Sequence, residues 1–189
     1  MNKIVIQKPH IPENLQTADF HETVTQNDVV SMHLFADCTI CGEDIERLCV
    51  EKTIFRNVVF IDVSFRHIEL TDVIFEKCDL SNADFSGAVI HRTSVKQSKM
   101  VGMNVAESTL RNVSFEECHG HFSSFSYSNM KQVRFDHCAL CKVSAAIWRF
   151  SRHTLTGANW KAPVFLAHPF KTWISAHASL NSFMSPSTN

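Results

Sequence analysis

Bulky apolar residues recur at every fifth position of this chain. From 55 to 140 the multiples of five are Phe55, Phe60, Phe65, Leu70, Phe75, Leu80, Phe85, Ile90, Val95, Met100, Val105, Leu110, Phe115, Gly120, Phe125, Met130, Phe135 and Leu140, and Gly120 alone is not large and apolar. Two residues ahead of each stands a small one, drawn from Ala, Cys, Ser, Thr and Val except at Ile68 and Met103. The other three places of each unit are mostly polar. Helices repeat at 3.6 residues and strands at 2, so neither explains a period of five.

A backbone that turns a corner every five residues does explain it. The bulky residue and the small one two before it both point inward, as side chains two apart on an extended segment must, and the remaining residues make the corner. Four sides close a square coil of about 20 residues, and coils stack at the strand spacing of roughly 4.8 Å. The inside fills with ladders of Phe and Leu, each side chain contributing roughly 1.5–3 kcal/mol on burial. Gly and Pro number only five each, so polar residues must make the corners. Gly120 is expected to mark a local kink, with Phe122 or a neighbour filling the gap.

Upstream the pattern loosens. Leu15, Phe20, Val30, Phe35, Ile40, Ile45 and Val50 keep the phase, Thr25 breaks it, and His33, Glu43 and Leu48 are poor choices for the small place. ADF recurs at 18–20. Residues 15–142 therefore read as coils, distorted at the start, about 6.5 of them in a rod on the order of 30 Å long. Residues 1–14 read as an N-terminal cap segment, in which KIVIQ at 3–7 alternates like a strand closing the first coil's open edge.

ADFSG at 83–87 and CDLSN at 78–82 fit the motif A(D/N)LXX, and the pattern resembles the pentapeptide-repeat family. The resemblance is clear over 53–142 and looser over 15–52. It implies an all-β fold, a right-handed quadrilateral β-helix. Its quinolone-resistance-type members are rods similar to duplex DNA in size and charge that bind DNA gyrase or topoisomerase IV. That implies a non-enzymatic DNA mimic with a type II topoisomerase as partner and no direct nucleic-acid binding. Such members often dimerise through a C-terminal helix, which this chain is expected to lack. The alternative is a structural or interaction module with another partner, or a frameshifted product without function.

Charge and chemistry add little to this picture. Residues 1–142 hold all 19 acids against 14 Lys and Arg, a net charge of −5. Asp62, Glu69, Asp72, Glu76, Asp79 and Asp84 lie outside the inward places and form a candidate acidic partner-binding face, interrupted or followed by Arg56, Arg66, Lys77, Arg92, Lys96 and Lys99. CTIC at 38–41 and CALC at 138–141 have zinc-ligand spacing. Yet Cys38, Cys78, Cys118 and Cys138 differ by multiples of 20, which places them on one inner side as core, with the two motifs roughly 24 Å apart. CHGH at 118–121 with His137 is the other cluster, read first as packing and second as a weak metal site. No nucleophile–base pair and no Gly-rich phosphate loop stands out. Catalytic, cofactor and metal residues are therefore expected to be none. No apolar run reaches the roughly 18 residues of a membrane span, and the start has no signal-peptide core. With an odd cysteine count as well, a cytoplasmic protein is expected.

After Lys142 the beat fails. Residues 143–189 contain no acid, carry a charge of +4 and hold all three Trp. The in-phase residues are Phe150, Leu155, Trp160, Phe165, Phe170, Ser175, Leu180 and Ser185. Each has a codon that begins with T, a property of only 17 of these 47 residues. Read one base earlier, that T becomes the middle base, which always encodes Phe, Leu, Ile, Met or Val. The tail is thus expected to be irregular as written, and to be an out-of-frame translation of further repeats. A genuine basic, aromatic tail is the competing account, one that binds a partner, a membrane surface or nucleic acid. Resequencing the encoding DNA across codons 140–189 should reveal a missing base and T-initial codons at Leu155, Ser175, Leu180 and Ser185; CTN or AGY codons at several of these places would end the idea.

Overall fold

The computed structural model describes residues 5–26, 29–144, 149–156 and 159–161. Its strands are all parallel, and apart from Gln16 and Thr17 on His33 and Leu34 every partner lies 20 residues away: Leu70 on Ile90, Ile90 on Leu110, Leu110 on Met130, and likewise Phe55 on Phe75. A constant offset of 20 with a corner every five residues gives four sides per coil. The sides run through Phe60, Phe65, Leu70 and Phe75. The last two join into continuous eight-residue strands, Glu69–Glu76, Val89–Lys96, Thr109–Glu116 and Asn129–Asp136. The other two are shorter pairings, such as Val59 on Asp79 and Ser64 on Asp84.

Both inward places behave as the pattern requires. Every bulky residue named for the core ladder is at most 5% exposed, from Phe55 through Leu140. Stacked coils put like on like: Phe35, Phe55 and Phe75 form one column with ring centroids 5.3 and 5.0 Å apart, and Phe115 and Phe135 stand 4.7 Å apart. Those spacings are the coil rise itself. The small inward residues do more than leave room. The Ser98 hydroxyl donates to the Lys96 carbonyl at 2.7 Å and accepts from the Cys78 amide at 3.0 Å. Ser128 donates to the Val105 carbonyl at 2.8 Å. Buried hydroxyls and thiols here find backbone acceptors, which removes the penalty of burying them unpaired.

Each corner is a left-handed residue. Positive φ recurs at every fifth position from Met32 to Lys142, at twenty non-glycine residues and at Gly42, Gly87 and Gly102. Asp and Asn tolerate this region best, and β-branched residues worst. No Val, Ile or Thr occupies any of these corners. At most corners the strain is offset by a hydrogen bond from the corner amide to the neighbouring coil, as from Asn57 to the Glu76 carbonyl at 2.8 Å and from Lys77 to the Lys96 carbonyl at 2.9 Å.

Four expectations need correction. ADF at 18–20 does not start a coil. Asp19 instead caps the helix Phe20–Gln26, its Oδ1 accepting from the Glu22 amide at 3.0 Å. That helix lays Phe20 edge-on over Phe35 at 5.3 Å and closes the apolar end. Residues 5–7 form no strand on the first coil; the strand that adds to it is Gln16–Thr17, paired with His33 and Leu34. Residues 3 and 4 lie outside the described residues. Gly120 makes no kink, since its amide donates to Ala139 at 2.9 Å in register. Phe122 does not fill the gap but stands at a corner, 59% exposed. Leu140 and Met100 close in from either side, so that an added Cβ would lie 2.8 Å from Leu140 Cδ2 and 3.2 Å from Met100 Cε.

The register also runs beyond Lys142 where an irregular tail is expected. Arg149–Thr156 pairs with Asn129–Asp136, and Asn159–Lys161 with Ala139–Cys141. Phe150, Leu155 and Trp160 thereby pair in register with Met130, Phe135 and Leu140. The rest of the tail expectation lies outside the described residues.

Phe85, 1% exposed, is held by the full depth of the core. Phe85→Ala should lower stability by about 3–5 kcal/mol in urea unfolding, the range for a large side chain removed from an interior that cannot collapse.

Candidate functional site

With the interior filled, all exposed chemistry stands on the outward residues of the sides and corners. The register decides which of them meet. It distributes the six acids instead of gathering them. Glu69 is on the side through Leu70, Glu76 on that through Phe75, Asp79 on that through Phe60 and Asp84 on that through Phe65, by their pairings with Cys49, Arg56, Val59 and Ser64. Asp62 and Asp72 are corners. The candidate acidic face is therefore no single face: four-sided winding sends sequence neighbours to different sides.

Most of these acids are also engaged. Glu76 accepts from Arg56 at 2.9 Å, and Asp79 lies 3.6 Å from Lys99. Asp84 accepts from the Ser86 amide at 3.0 Å and the Asn104 carboxamide at 2.9 Å. Asp62 and Glu69 are exposed. The basic residues at equivalent places on neighbouring coils explain the pairing, since a 20-residue step puts Arg56 beside Glu76 and Asp79 beside Lys99.

The cysteines divide as their phase demands. Cys78, Cys118 and Cys138 are buried inner residues whose thiols donate to Phe55, Val95 and Phe115 carbonyls at 3.3–3.4 Å. Burial pushes the Cys78 thiol up to about 11. The adjoining Cys138 thiol and burial likewise raise Cys118, while the bond to Cys118 holds Cys138 below the ordinary thiol value. Cys78 and Cys118 therefore stay protonated and unreactive near neutral pH. Cys38 is partly covered by the same column, while Cys41 is exposed. In the histidine cluster, His121 Nδ1 faces the Cys141 amide at 3.3 Å and His137 faces Asp136 at 2.8 Å. Among the described residues no three His, Cys, Asp or Glu side chains converge as metal ligands would.

The most constructed polar site was not singled out by the repeat. At the corner between the sides through Leu70 and Phe75, Asp72 is only 3% exposed although it faces outward. Arg92, one coil on, grips both its oxygens at 2.7 Å, and the His10 amide donates to Oδ1 at 3.0 Å. Burial pushes the Asp72 carboxyl up, but the Arg92 bonds, the His10 amide and the Arg92 charge outweigh it and hold the group below the usual carboxylate range. Along the same corner Asn112 is also 3% exposed. It exchanges bonds with the Gln7 amide and carboxamide at 3.3 Å, and Gln132 donates to the Val5 carbonyl at 3.2 Å. Residues 5–10 thus form a strap along the outside of the rod. The only trace of it in the sequence is Asp72 and Arg92 at a spacing of 20.

Residues 68–145 match the profile of the pentapeptide repeat region. Residues 68–145 carry the pentapeptide repeat, wound here as a β-helix. The chain is 94% identical over 132 residues to the uncharacterized protein YisX of Bacillus subtilis (strain 168), a match that covers 70% of this chain and spans 62% of that protein's length. Among solved structures, a pentapeptide repeat protein from the Arabidopsis thaliana thylakoid lumen is 19% identical, over 55% of this chain and 70% of that one, with a TM-score of 0.47. QnrB1, a plasmid-mediated fluoroquinolone resistance protein, is 17% identical over 69% of this chain and 91% of that one, with a TM-score of 0.30. Among the described residues no helix is long and apolar enough to cross a membrane.

The Asp72–Arg92 pair has a signed pH dependence. A carboxyl held low in the folded state adds stability above its unfolded value of about 3.9 and loses that contribution as pH falls through the folded value. Asp72→Asn should lower stability by about 1.5–3 kcal/mol at neutral pH, and the gap to wild type should close toward pH 3 in parallel urea melts. A gap that does not change with pH would show that charge is not what the pair contributes.

Proposed function

We propose that this pentapeptide-repeat chain is a non-enzymatic, protein-binding rod of the cytoplasm. The observation that carries the reading is the filled interior: every ladder residue is buried, so only a rigid, ruled outer surface remains to act. Its binding groups stand at fixed steps of one coil, as suits recognition of a large rigid partner. A type II topoisomerase engaged in the manner of duplex DNA is the finer reading. Outward acids on all four sides of a narrow rod support it, since duplex DNA also shows its charge around the whole cylinder. The ion pairs Arg56–Glu76, Lys99–Asp79 and Arg66–Asp44 favour the second reading, an interaction module for a less basic partner.

We also infer that the chain is out of frame from somewhere in 143–149 onward. Near identity to the Bacillus subtilis relative over 132 residues supports this, because a lost base leaves identity intact on one side of itself and erases it on the other. The in-phase pairing of Phe150, Leu155 and Trp160 supports it as well, as residues that keep the ladder's phase without its acids.

DNA gyrase supercoiling with a quinolone present decides between the partner readings. The frame-restored protein should rescue supercoiling at micromolar concentration and bind gyrase in a pull-down. Absence of both would exclude the topoisomerase and leave the module reading.

A further inference from the structure

The side through Leu70 presents two outward columns, one just before and one just after its bulky residues. The register stacks Cys49, Glu69, Val89 and Thr109 in the first. It stacks Glu51, Thr71, His91, Arg111 and Lys131 in the second. The corners Arg47, His67, Gly87, Glu107 and Tyr127 form its rim. Charge divides this side along its length, with Glu51 and Glu69 in the lower half and Arg111 and Lys131 in the upper. Elsewhere opposite charges meet between neighbouring coils, as Arg56 meets Glu76. Here Glu51, Glu69, Glu107, Arg111 and Lys131 form no ion pair among the described residues. Between the two halves stands Val89, an apolar residue 48% exposed.

Such a side is complementary to its own reverse. A two-fold axis across the rod at the level of Val89 turns a second copy end over end and keeps each column opposite itself. Residues equally far below and above that level then meet. Glu51 meets Lys131, Thr71 meets Arg111 with Glu69 diagonal to it, and Val89 meets Val89. On the rim His67 meets Glu107, and Arg47 meets the exposed ring of Tyr127, whose face accepts a cation. Burial, with Arg92 and Arg111 nearby, pushes the His91 ring below its ordinary value against the pull of Asp72, so the rings that meet at the axis are uncharged above neutral pH. A shift of half a coil toward Glu51 sets Glu69 against Val89 and Lys131 against Ser31, so the outward residues select one register.

We propose that the side through Leu70 is a homodimer interface on which two rods pack antiparallel about a two-fold axis at Val89. The interface is isologous, so every contact off the axis occurs twice. Charges without a partner in their own chain find one in the second copy, which fixes orientation and register. A foreign protein would have to match this order of charges, whereas a second copy matches it by symmetry. The side is narrow, and Glu51 and Lys131 are four coil steps apart, about 19 Å, so the dimer belongs to the small, weak and salt-sensitive class. The strap of residues 5–10 lies over the corner on the other edge and leaves Val89 and Thr109 exposed. This pairing goes beyond the partner readings and depends on neither.

Sedimentation velocity of the whole chain over a rising series of concentrations tests it, at low and high salt. Wild type should pass reversibly from monomer to dimer at low salt and shift toward monomer at high salt. Glu51→Lys and Lys131→Glu should each weaken the dimer about ten-fold, since each reversed charge occurs twice across the axis. The two together in one chain should restore it. Residues so far apart on one rod cannot pair with each other, so that rescue must come from the second copy. As an independent readout, a short bismaleimide should join two copies of Val89→Cys, in a Cys41→Ser and Cys49→Ser background, and not two copies of Val59→Cys on the opposite side. Far-UV circular dichroism and urea midpoints confirm that each variant folds. A wild type that stays monomeric throughout, or a dimer that ignores Glu51→Lys or is not restored by the double swap, would overturn the interface. Neither readout involves gyrase, so this pairing and the topoisomerase reading fail separately.

Discussion

The left-handed corner bonded to the next coil is the constraint on which everything else depends. Each corner residue holds a positive φ that most side chains avoid, and most donate their amide across to the neighbouring coil. Remove the corner and the chain runs straight; remove the bond and the strained φ has nothing to hold it. Because corners come every five residues, both inward places recur at fixed points. The Phe column from 35 to 75 and the inner hydroxyl-to-carbonyl bonds follow from that repetition. Gly120 shows how local the packing is. One ladder rung is missing, and Met100 and Leu140 close in on its place, with the register unchanged on either side.

The same winding governs the exterior. A step of 20 residues stacks Arg56 on Glu76 and Asp79 on Lys99, so alternation of charge between coils neutralises the sides from within. A step of five sends neighbouring acids to different sides. Charge on this rod is therefore spread thinly around it and partly paired, a weaker field than the bare acid count suggests. The corner at Asp72 departs from this rule. There an ion pair is nearly buried and a piece of backbone from far away in sequence lies across it.

The ends of the rod follow different physics from its middle. A coil in the middle is covered by coils above and below, but the first coil would leave apolar rings and strand edges bare. The helix Phe20–Gln26 and the strand Gln16–Thr17 cover them, and both interrupt the repeat. A motif that reads as repeat, ADF at 18–20, is used as a helix cap because no coil lies beneath it to complete.

The sequence alone determined the architecture of 53–142: the period of five, the two inward places, the 20-residue coil and the inner position of Cys78, Cys118 and Cys138. Those features are local and repeated, so each unit restates the same geometric demand and no single exception obscures it. It also showed where the pattern breaks, at Gly120 and after Lys142, without showing what the chain does there. Only the tertiary structure decided that Met100 and Leu140 absorb the missing rung and that residues 5–10 cross Asp72, Asn112 and Gln132. These depend on contacts between residues up to 127 apart that occur once. A pairing made once leaves no period, and a strap read mainly through its backbone leaves almost no signature in its side chains.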